Sequence, residues 1–325
     1  MLPYVSPLTR VVELYPGQFG VPGSDVRRGV RMAPRGVVLY VDGGHPLATD
    51  SADGTDPEAP LLTIQGAVNR LVSWGDPNSI IAVMPGVYTE SVTIPVTAPP
   101  NCMLVGLGYN QFWPSVVAAA AATDAITLSA RGWTIANLRV TGGTASAGIR
   151  LYEYADPGYQ GAETLIEEVF FDGAWSALYG LEFEGAPGMV TVKNCRFSEH
   201  NNTGNTAYAV CETATPRQNA YECEFINNWF FENDNHVKGG FGVTRFVGNH
   251  FCAGKLIPAI VNLDLRGGTV GRNTVTGNLF EGDYSNAGGY YANAANPGSW
   301  VGNIAEDTAE AEVADNGFTI AIPAP

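Results

Sequence analysis

The chain has 325 residues and a formal net charge of -15 at pH 7, with only 17 Lys and Arg together. Because phosphate binding relies on clustered Lys and Arg, this acidic balance argues against a nucleic-acid partner. No apolar run approaches the roughly 20 residues of a membrane span, so we expect no membrane insertion. The five cysteines include no Cys-x-x-Cys pair. We therefore predict reduced, mostly buried thiols, and neither a metal site nor a cofactor.

Residues 1–37 contain five prolines and little periodicity, which predicts an extended arm rather than a folded domain. The segment lacks the basic start and long apolar stretch of a signal peptide, so we expect synthesis in the cytoplasm. Its charge is locally basic although the whole chain is acidic. The arm is either a solvated leader or an anchor on an acidic partner surface. Under the second interpretation the assembly residues are Arg10, Arg27, Arg28, Arg31 and Arg35.

The next segment predicts the start of an elongated body over residues 38–304. Apolar residues recur at helical spacing between positions 61 and 74, which indicates a short amphipathic helix. The run from Ile80 to Val83 is apolar and rich in β-branched residues, as in a buried strand. A helix at the end of a stack of strands would cover a first coil whose sheet edge is otherwise exposed.

A loose repeat follows, in which an apolar-x-apolar pair precedes an Asn or Glu and then further apolar residues. Successive Asn or Glu positions lie 25 to 31 residues apart, which indicates a solenoid of about ten coils. We expect this Asn at a bend between strands, where it tolerates the left-handed conformation and bonds to stacked copies of itself. The same alignment predicts that Cys195 and Cys223 face inward in adjacent coils. It also predicts one internal stack of Phe197, Phe225 and Phe251.

Two segments carry a family resemblance. Residues 59–68 read A-P-L-L-T-I-Q-G-A-V, and residues 85–90 read P-G-V-Y-T-E. Together they resemble the N-terminal cap and first coil of the pectin-lyase-like superfamily, which includes bacteriophage tailspikes and related virion proteins. The resemblance implies an all-β fold, a right-handed single-stranded parallel β-helix with a short N-terminal capping α-helix. It leaves activity open, because the superfamily contains lyases, hydrolases, esterases and non-catalytic structural proteins.

Acidic residues follow several of the predicted bends and would form one row along an edge of the solenoid if the register holds. The densest patch, residues 231–236, reads F-E-N-D-N-H and offers Glu232 and Asp234 as a candidate catalytic pair. Glycoside hydrolysis needs two carboxyl groups at set separations, although such a row is also typical of a solvated face. The polygalacturonase-like, pectinesterase-like and pectate-lyase-like catalytic motifs are absent. The predicted row comprises Asp172, Glu199, Glu232, Glu281 and Glu306.

Aromatic residues offer a second kind of site, because sugar rings stack on aromatic faces. Trp229, Tyr290 and Tyr291 are the candidate glycan-binding residues. The two tyrosines fall in a segment rich in Gly, Asn and Ala, which predicts an exposed loop. Packing of that loop is the alternative explanation for them.

Residues 305–325 carry several acids and no Lys or Arg, and they predict a C-terminal tail or cap. The lack of a signal peptide, the free thiols, the anchoring-type arm and the missing catalytic motifs favour a virion structural protein of a tailed bacteriophage, a capsid decoration protein or tailspike-like fibre. Such a protein would be a homo-oligomer that binds other virion proteins through its arm, with cell-surface polysaccharide as a further partner. One alternative is a polysaccharide lyase or glycoside hydrolase. A second is an extracellular, non-catalytic carbohydrate-binding adhesin.

Overall fold

The structure is a computed structural model whose body is a stack of coils forming three all-parallel sheets. This arrangement confirms the predicted parallel β-helix. Two short strands, β1 (Gln18–Phe19) and β2 (Val30–Arg31), pair antiparallel in the N-terminal segment. Besides these, the structure describes residues 36–108, 115–119, 122–152, 162–185, 187–202, 204, 206–213, 220–253, 261–265, 272–282, 289–291 and 298–306.

Strands of successive coils fall on the three sheets in turn. The first sheet contains β3 (Val38–Val41), β4 (Ile80–Val83), β7 (Met103–Gly106), β10 (Thr134–Ala136), β13 (Leu165–Glu167), β16 (Thr191–Lys193), β19 (Glu224–Ile226), β22 (Arg245–Val247), β25 (Thr274–Thr276) and β28 (Ser299–Val301). These ten strands agree with the predicted number of coils.

The second sheet contains β5 (Gly86–Thr89), β8 (Ser115–Ala118), β11 (Leu138–Thr141), β14 (Phe170–Asp172), β17 (Arg196–Ser198), β20 (Trp229–Phe231), β23 (His250–Ala253), β26 (Leu279–Gly282) and β29 (Ile304–Glu306). The third sheet contains β6 (Val92–Ile94), β9 (Ile126–Leu128), β12 (Ala147–Tyr152), β15 (Tyr179–Glu184), β18 (Tyr208–Thr213), β21 (Asn235–Lys238), β24 (Val261–Asp264) and β27 (Gly289–Tyr291). Side chains alternate along each strand between the interior and the solvent.

The predicted capping helix is present as α1 (Ile64–Trp74). Thr63 begins it by accepting a hydrogen bond from the Gly66 N–H, and Gly75 ends it in the left-handed conformation with φ 70°. Within the described ranges, no helix has the length and apolar character needed to cross a membrane. The face of α1 that covers the first coils is formed by Ile64, Ala67, Val68 and Leu71.

The two segments that carry the resemblance hold α1 on the stack. The Glu90 carboxylate accepts the N–H groups of Ile64 and Gln65, both at 2.9 Å, which satisfies two free donors of the first helical turn. The Gln65 amide bonds to Thr93 in both directions, accepting its N–H at 2.7 Å and donating to its carbonyl at 3.2 Å. These contacts give both segments a structural role in closing the solenoid.

Two successive residues in the bend between the first and second sheets differ in conformation and burial. The first adopts positive φ, and the second places its side chain in the core; Asn227 and Asn228 are one such pair. The prediction that one Asn both bends the chain and forms the ladder was therefore right only in part: Asn137 and Asn194 adopt positive φ, whereas the mutually bonded Asn249, Asn278 and Asn303 do not. Positive φ occurs at Asn137, Glu168, Asn194, Asn227, Gly248, Gly277 and Gly302. The buried ladder consists of Asn228, Asn249, Asn278 and Asn303.

Asn228, Asn249 and Asn278 each bond to the coil on either side, and Asn303 bonds to the coil before it. The Asn249 Oδ1 accepts the backbone N–H and the side-chain amide of Asn228, both at 3.0 Å. The Asn249 Nδ2 donates to the Phe225 carbonyl and to the Asn278 Oδ1, both at 2.9 Å. An unpaired polar group in such a core costs about 1–3 kcal/mol, so the ladder is stable because its members satisfy one another.

Aromatic side chains form two internal stacks rather than the single predicted one. Phe197 and Phe251 belong to the second-sheet stack, as predicted, and are joined through Phe230 at centroid distances of 4.8 Å. Phe225 lies instead on the first sheet, where it stacks on Phe246 at 4.9 Å. The second-sheet stack consists of Phe171, Phe197, Phe230, Phe251 and Phe280.

The five cysteines are free, and all but Cys252 are buried, as predicted. Cys195 and Cys223 nevertheless do not share a repeat position. Cys195 follows β16 in the bend between the first and second sheets, where its N–H donates to Asn228 Oδ1 at 2.9 Å. Cys223 precedes β19, in the bend that leads into the first sheet. The error arose because both bends carry similar apolar patterns.

Two histidines are buried beside the second-sheet stack. His200 Nδ1 lies 2.8 Å from Asn233 Oδ1, and Asn233 Nδ2 lies 3.2 Å from His236 Nδ1. The His236 ring also lies near the rings of Phe230 and Phe251. Burial lowers the pKa of His200 to about 4 and the pKa of His236 to about 3. Both imidazoles are therefore neutral at neutral pH.

Replacing one member of the ladder tests its contribution. We expect Asn249→Leu to lower the free energy of unfolding by about 3 kcal/mol or more, because partners on both neighbouring coils lose their hydrogen bonds. Urea unfolding measures the change. The matched control is Asn194→Gly, at an exposed position with φ 54°, which should change stability by less than about 1 kcal/mol. Equal effects of the two changes would contradict the ladder's role.

The buried histidines predict a loss of stability in acid. The unfolded chain binds protons on histidine near its ordinary pKa of about 6.5, whereas the folded chain does so only near 4 and 3. The contribution of these two histidines to stability is therefore complete above about pH 6.5 and falls as the pH is lowered toward 3. The variant His236→Leu should lose about 2 kcal/mol less than the native chain between pH 7 and pH 5.

Urea midpoints measured at both pH values test this expectation. The control His45→Gln changes a partly exposed loop residue and should keep the native pH dependence. A His236→Leu variant with the native pH dependence would rule out His236 as a source of the loss of stability in acid.

Candidate functional site

The outer face of the second sheet carries a column of basic and aromatic side chains from successive coils. Parallel pairing in register brings the equivalent residue of each strand to the same height on this face. The column therefore joins residues that lie a whole coil apart in the sequence. We call it the Trp229 column, and it consists of Arg139, Phe170, Arg196, Trp229 and His250.

The side chains of the Trp229 column stack along the solenoid axis. The Arg196 guanidinium carbon lies 4.4 Å from the Trp229 ring centroid and 5.3 Å from that of Phe170. The His250 ring lies nearly parallel to Trp229, at 9° and 6.1 Å. Trp229 is 38% exposed, and because neighbours flank both ring faces, it presents mainly its edge to solvent. Cation–π contacts of this kind stabilise an exposed surface by about 0.5–1 kcal/mol each.

Acidic residues flank this column, although not in the single predicted row. Asp172 pairs with Ser198 in register, and Glu281 pairs with Cys252 farther along the same sheet. Glu199 and Glu232 lie one position later, at the bend after the second sheet, with φ 64° and 51°. The predicted row is thus divided between two columns.

Glu199 and Glu232 occupy the same position in adjacent coils, and the Glu199 N–H donates to the Glu232 carbonyl at 3.1 Å. Burial raises the pKa of Glu199, and the negative charges of Asp172 and Glu232 raise it further. Burial lowers the pKa of Arg196, and the nearby carboxylates reduce this shift because they favour the charged guanidinium. The two glutamates therefore lie on adjacent coils, close enough for their charges to interact.

The predicted pair of Glu232 and Asp234 is placed differently. Glu232 is half-buried at the bend that follows β20. Asp234 is only 3% exposed, and its carboxylate accepts the Asn202 N–H at 2.8 Å. Burial raises the pKa of the Asp234 carboxyl group. The hydrogen bond from Asn202 gives Asp234 a structural role. The residue stacked on Glu232 in the adjacent coil is Glu199.

Sequence reasoning missed Trp175, which lies in the bend after β14. The backbone N–H of Trp175 donates to the backbone carbonyl of Glu199 at 3.1 Å, so Trp175 lies on the coil before Glu199. The side chain is 49% exposed, and within the described parts of the chain no ring or cation is stacked on it. Trp175 therefore offers an exposed aromatic face to a ligand. We define the Trp175 rim as Trp175, Arg196, Glu199, Trp229 and Glu232.

The other predicted site residues lie elsewhere. Tyr290 and Tyr291 belong to β27 of the third sheet, in register with Leu263 and Asp264, so their backbone forms a strand rather than the expected loop. They do not share a sheet with Trp229. Of the arm residues, the backbone of Arg31 lies in β2. The remaining four, Arg10, Arg27, Arg28 and Arg35, lie outside the described residues, as does the tail beyond residue 306.

Two open recesses lie beside α1, and the smaller also borders β5 of the second sheet. The larger, of about 360 Å³, is lined by Asp50, Thr63 and Arg70 among others. Asp50 already accepts the N–H groups of Leu62 and Thr63, both at 3.0 Å. The smaller recess, of about 240 Å³, includes the helix-capping Glu90. Their principal polar groups hold the cap, which makes these recesses part of the solenoid's closure.

A mixed cluster of donor atoms lies at the far end of the Trp229 column. His250, Cys252 and Glu281 each offer one donor atom, and all three atoms lie within 4.8 Å of one another. The His250 Nε2 and a Glu281 carboxylate oxygen are 2.6 Å apart. Nitrogen, sulfur and oxygen donors converge here from two adjacent coils.

Comparisons with known proteins show the fold. No protein-family model matches the sequence, and a search of curated proteins found no match. Among solved structures, the chain is similar to pectate lyase Pel9A, with 14% identity and a TM-score of 0.52, over 79% of this chain and 68% of that one. It is also similar to the pectin methylesterase of Aspergillus niger, with 13% identity and a TM-score of 0.50, over 86% and 89%.

A third similar structure is the Dettilon tailspike protein, with 11% identity and a TM-score of 0.36, over 84% of this chain and 67% of that one. At such low identities the likeness concerns the fold and leaves activity open. The three parallel sheets and the structural matches agree on the architecture. The chain is a right-handed parallel β-helix protein with the pectin-lyase-like fold.

Proposed function

We propose that this chain is a structural β-helix protein of a bacteriophage virion whose Trp175 rim binds polysaccharide. The observation that carries the binding proposal is the exposed Trp175 side chain, on a bend whose backbone bonds to Glu199 of the next coil. An aromatic face packs against the apolar face of a sugar ring, while carboxylates accept hydrogen bonds from its hydroxyl groups. Arg196 supplies hydrogen-bond donors on the same side of the solenoid.

The spacing of these groups favours a linear polymer. Adjacent coils place Trp175, Glu199 and Glu232 in succession along the solenoid axis, about 4.8 Å apart. A ligand with repeated units can contact each coil in the same way. Carboxylates outnumber the arginine within the rim, and the whole chain has a net charge of -15, so we expect a polysaccharide of low charge.

A second candidate, glycoside hydrolysis, rests on the same glutamates. That reaction uses two carboxyl groups, one of which is a general acid with a raised pKa. Glu199 has the raised pKa, and Glu232 lies one coil away. We rank hydrolysis second because the exposed tryptophan accounts for binding without it.

The virion role rests on the contrast in charge between the arm and the body. Five arginines lie within residues 1–37, while the whole chain is strongly acidic. A basic arm that binds the acidic body of another copy, or another virion protein, would assemble the chain into an oligomer. Assembly in a virion after synthesis in the host cytoplasm is consistent with five free thiols.

Binding at the rim is tested with affinity electrophoresis through gels that contain neutral or acidic polysaccharides. We expect retardation by at least one polysaccharide of low charge. Trp175→Ala should weaken that binding about tenfold, because the loss of one aromatic contact costs on the order of 1.4 kcal/mol. The matched control is Trp74→Ala, which changes a comparably exposed tryptophan at the end of α1 and should bind normally.

Equal binding by the two variants, or no retardation in any gel, would contradict the proposal. The bound polysaccharide is also assayed for new reducing ends. Cleavage by the native chain that is lost in Glu199→Gln would replace the binding role with hydrolysis.

The assembly proposal is tested by removing residues 1–35. This cut keeps Val37, whose carbonyl accepts the Ile80 N–H at 2.8 Å and whose N–H donates to Ser79 Oγ at 3.1 Å. We expect light scattering to show an oligomer for the full chain and a monomer after truncation, with an unchanged β-sheet circular dichroism spectrum. A monomeric full chain, or a truncated chain of unchanged mass, would contradict an assembly role for the arm.

A further inference from the structure

The cluster of His250, Cys252 and Glu281 is arranged by the sheet itself. His250 and Cys252 are two residues apart on β23, so both side chains lie on the same outward face. Glu281 pairs with Cys252 in register on the next coil. The three residues are partly exposed, which leaves the cluster open to solvent. Their convergence therefore follows from backbone pairing rather than from a chance loop conformation.

We propose that this cluster is a zinc site. An imidazole nitrogen, a cysteine sulfur and a carboxylate oxygen are the donor types that bind Zn²⁺, whereas Ca²⁺ and Mg²⁺ take oxygen ligands. The soft sulfur donor in particular selects against the hard cations. Three protein ligands leave a fourth position for water or for an oxygen atom of a ligand.

The distances allow zinc to enter with small adjustments. Zinc bonds of about 2.0–2.3 Å in a tetrahedral arrangement require donor atoms about 3.3–3.8 Å apart. All three donor atoms already lie within 4.8 Å of one another. The hydrogen bond between His250 and Glu281 has to open from 2.6 Å by about 1 Å. The proton that Nε2 donates in that bond moves through solvent to Nδ1, so the neutral imidazole binds the metal through Nε2 while Glu281 binds it through its carboxylate. The Cys252 thiol transfers its proton to solvent as the zinc–sulfur bond forms.

Neighbouring groups limit the motion of the ligands. The His250 ring lies nearly parallel to Trp229, which restricts its rotation. Cys252 is fixed on a strand whose backbone pairs with both adjacent coils. Such preorganisation strengthens metal binding because the ligands lose less freedom on coordination. The site lies on the same sheet as Arg196 and Trp229 of the Trp175 rim, but it uses none of the rim's residues.

The experiment uses the full chain after treatment with a chelator and a thiol reductant. We expect calorimetric titration to show one Zn²⁺ bound per chain. Cys252→Ser and His250→Gln should each weaken that binding at least tenfold. With Co²⁺ in place of zinc, the native chain should show a thiolate-to-cobalt charge-transfer band that Cys252→Ser lacks.

The matched control is Cys211→Ser, which changes a buried thiol on the third sheet and should keep both the stoichiometry and the band. Circular dichroism verifies that each variant is folded, and His250→Gln provides a second test if Cys252→Ser fails to fold. The proposal is overturned if the native chain binds no stoichiometric zinc. It is equally overturned if folded Cys252→Ser and His250→Gln bind zinc as tightly as the native chain.

Discussion

Parallel pairing in register between successive coils is the constraint on which the rest of this structure depends. Along the second sheet each strand bonds to the next without a slip, so every residue lies on the equivalent residue of its neighbours. The interior must therefore repeat compatible chemistry from coil to coil, as the phenylalanine stack and the Asn228 to Asn303 ladder do. The exterior gains columns of side chains from positions far apart in the sequence.

A stack held by such pairing also needs a closed end. The first coil would expose unpaired backbone groups and an apolar interior, and α1 covers it. Glu90 accepts hydrogen bonds from two N–H groups of the first helical turn, and the Gln65 side chain bonds to Thr93. These bonds attach the helix to the following coil. Because those residues perform the closure, the two segments that carry the resemblance have a structural role in this chain.

Local patterns were sufficient to predict the parts of the fold that arise from neighbouring residues. Helical spacing predicted the capping helix, and the apolar run from Ile80 to Val83 matches β4 residue for residue. The repeat period predicted the number of coils. Errors arose where two coils had to be aligned, since loops of unequal length shift the pattern. Cys195 and Cys223 were assigned the same repeat position because two different bends carry similar apolar patterns.

The candidate site was harder to predict because its members meet only through the register. Glu232 was paired with Asp234 by closeness in sequence, whereas the coil stacking pairs it with Glu199. Trp175 reaches the same rim from the preceding coil. The cluster of His250, Cys252 and Glu281 likewise joins a His-x-Cys pair to a glutamate of the next coil. No short sequence motif contains this combination.

Polysaccharide binding at the Trp175 rim is most directly tested by hydroxyl-radical footprinting of the full chain with and without a polysaccharide panel. If the rim binds polysaccharide, we expect strong protection of Trp175 from oxidation. Protection of Trp229 should be weaker, since mainly the edge of its ring reaches solvent. Trp74, on the capping helix, should be oxidised equally in both states. Protection of Trp74 instead, or unchanged oxidation of Trp175 with every polysaccharide, would show that the rim does not bind sugar.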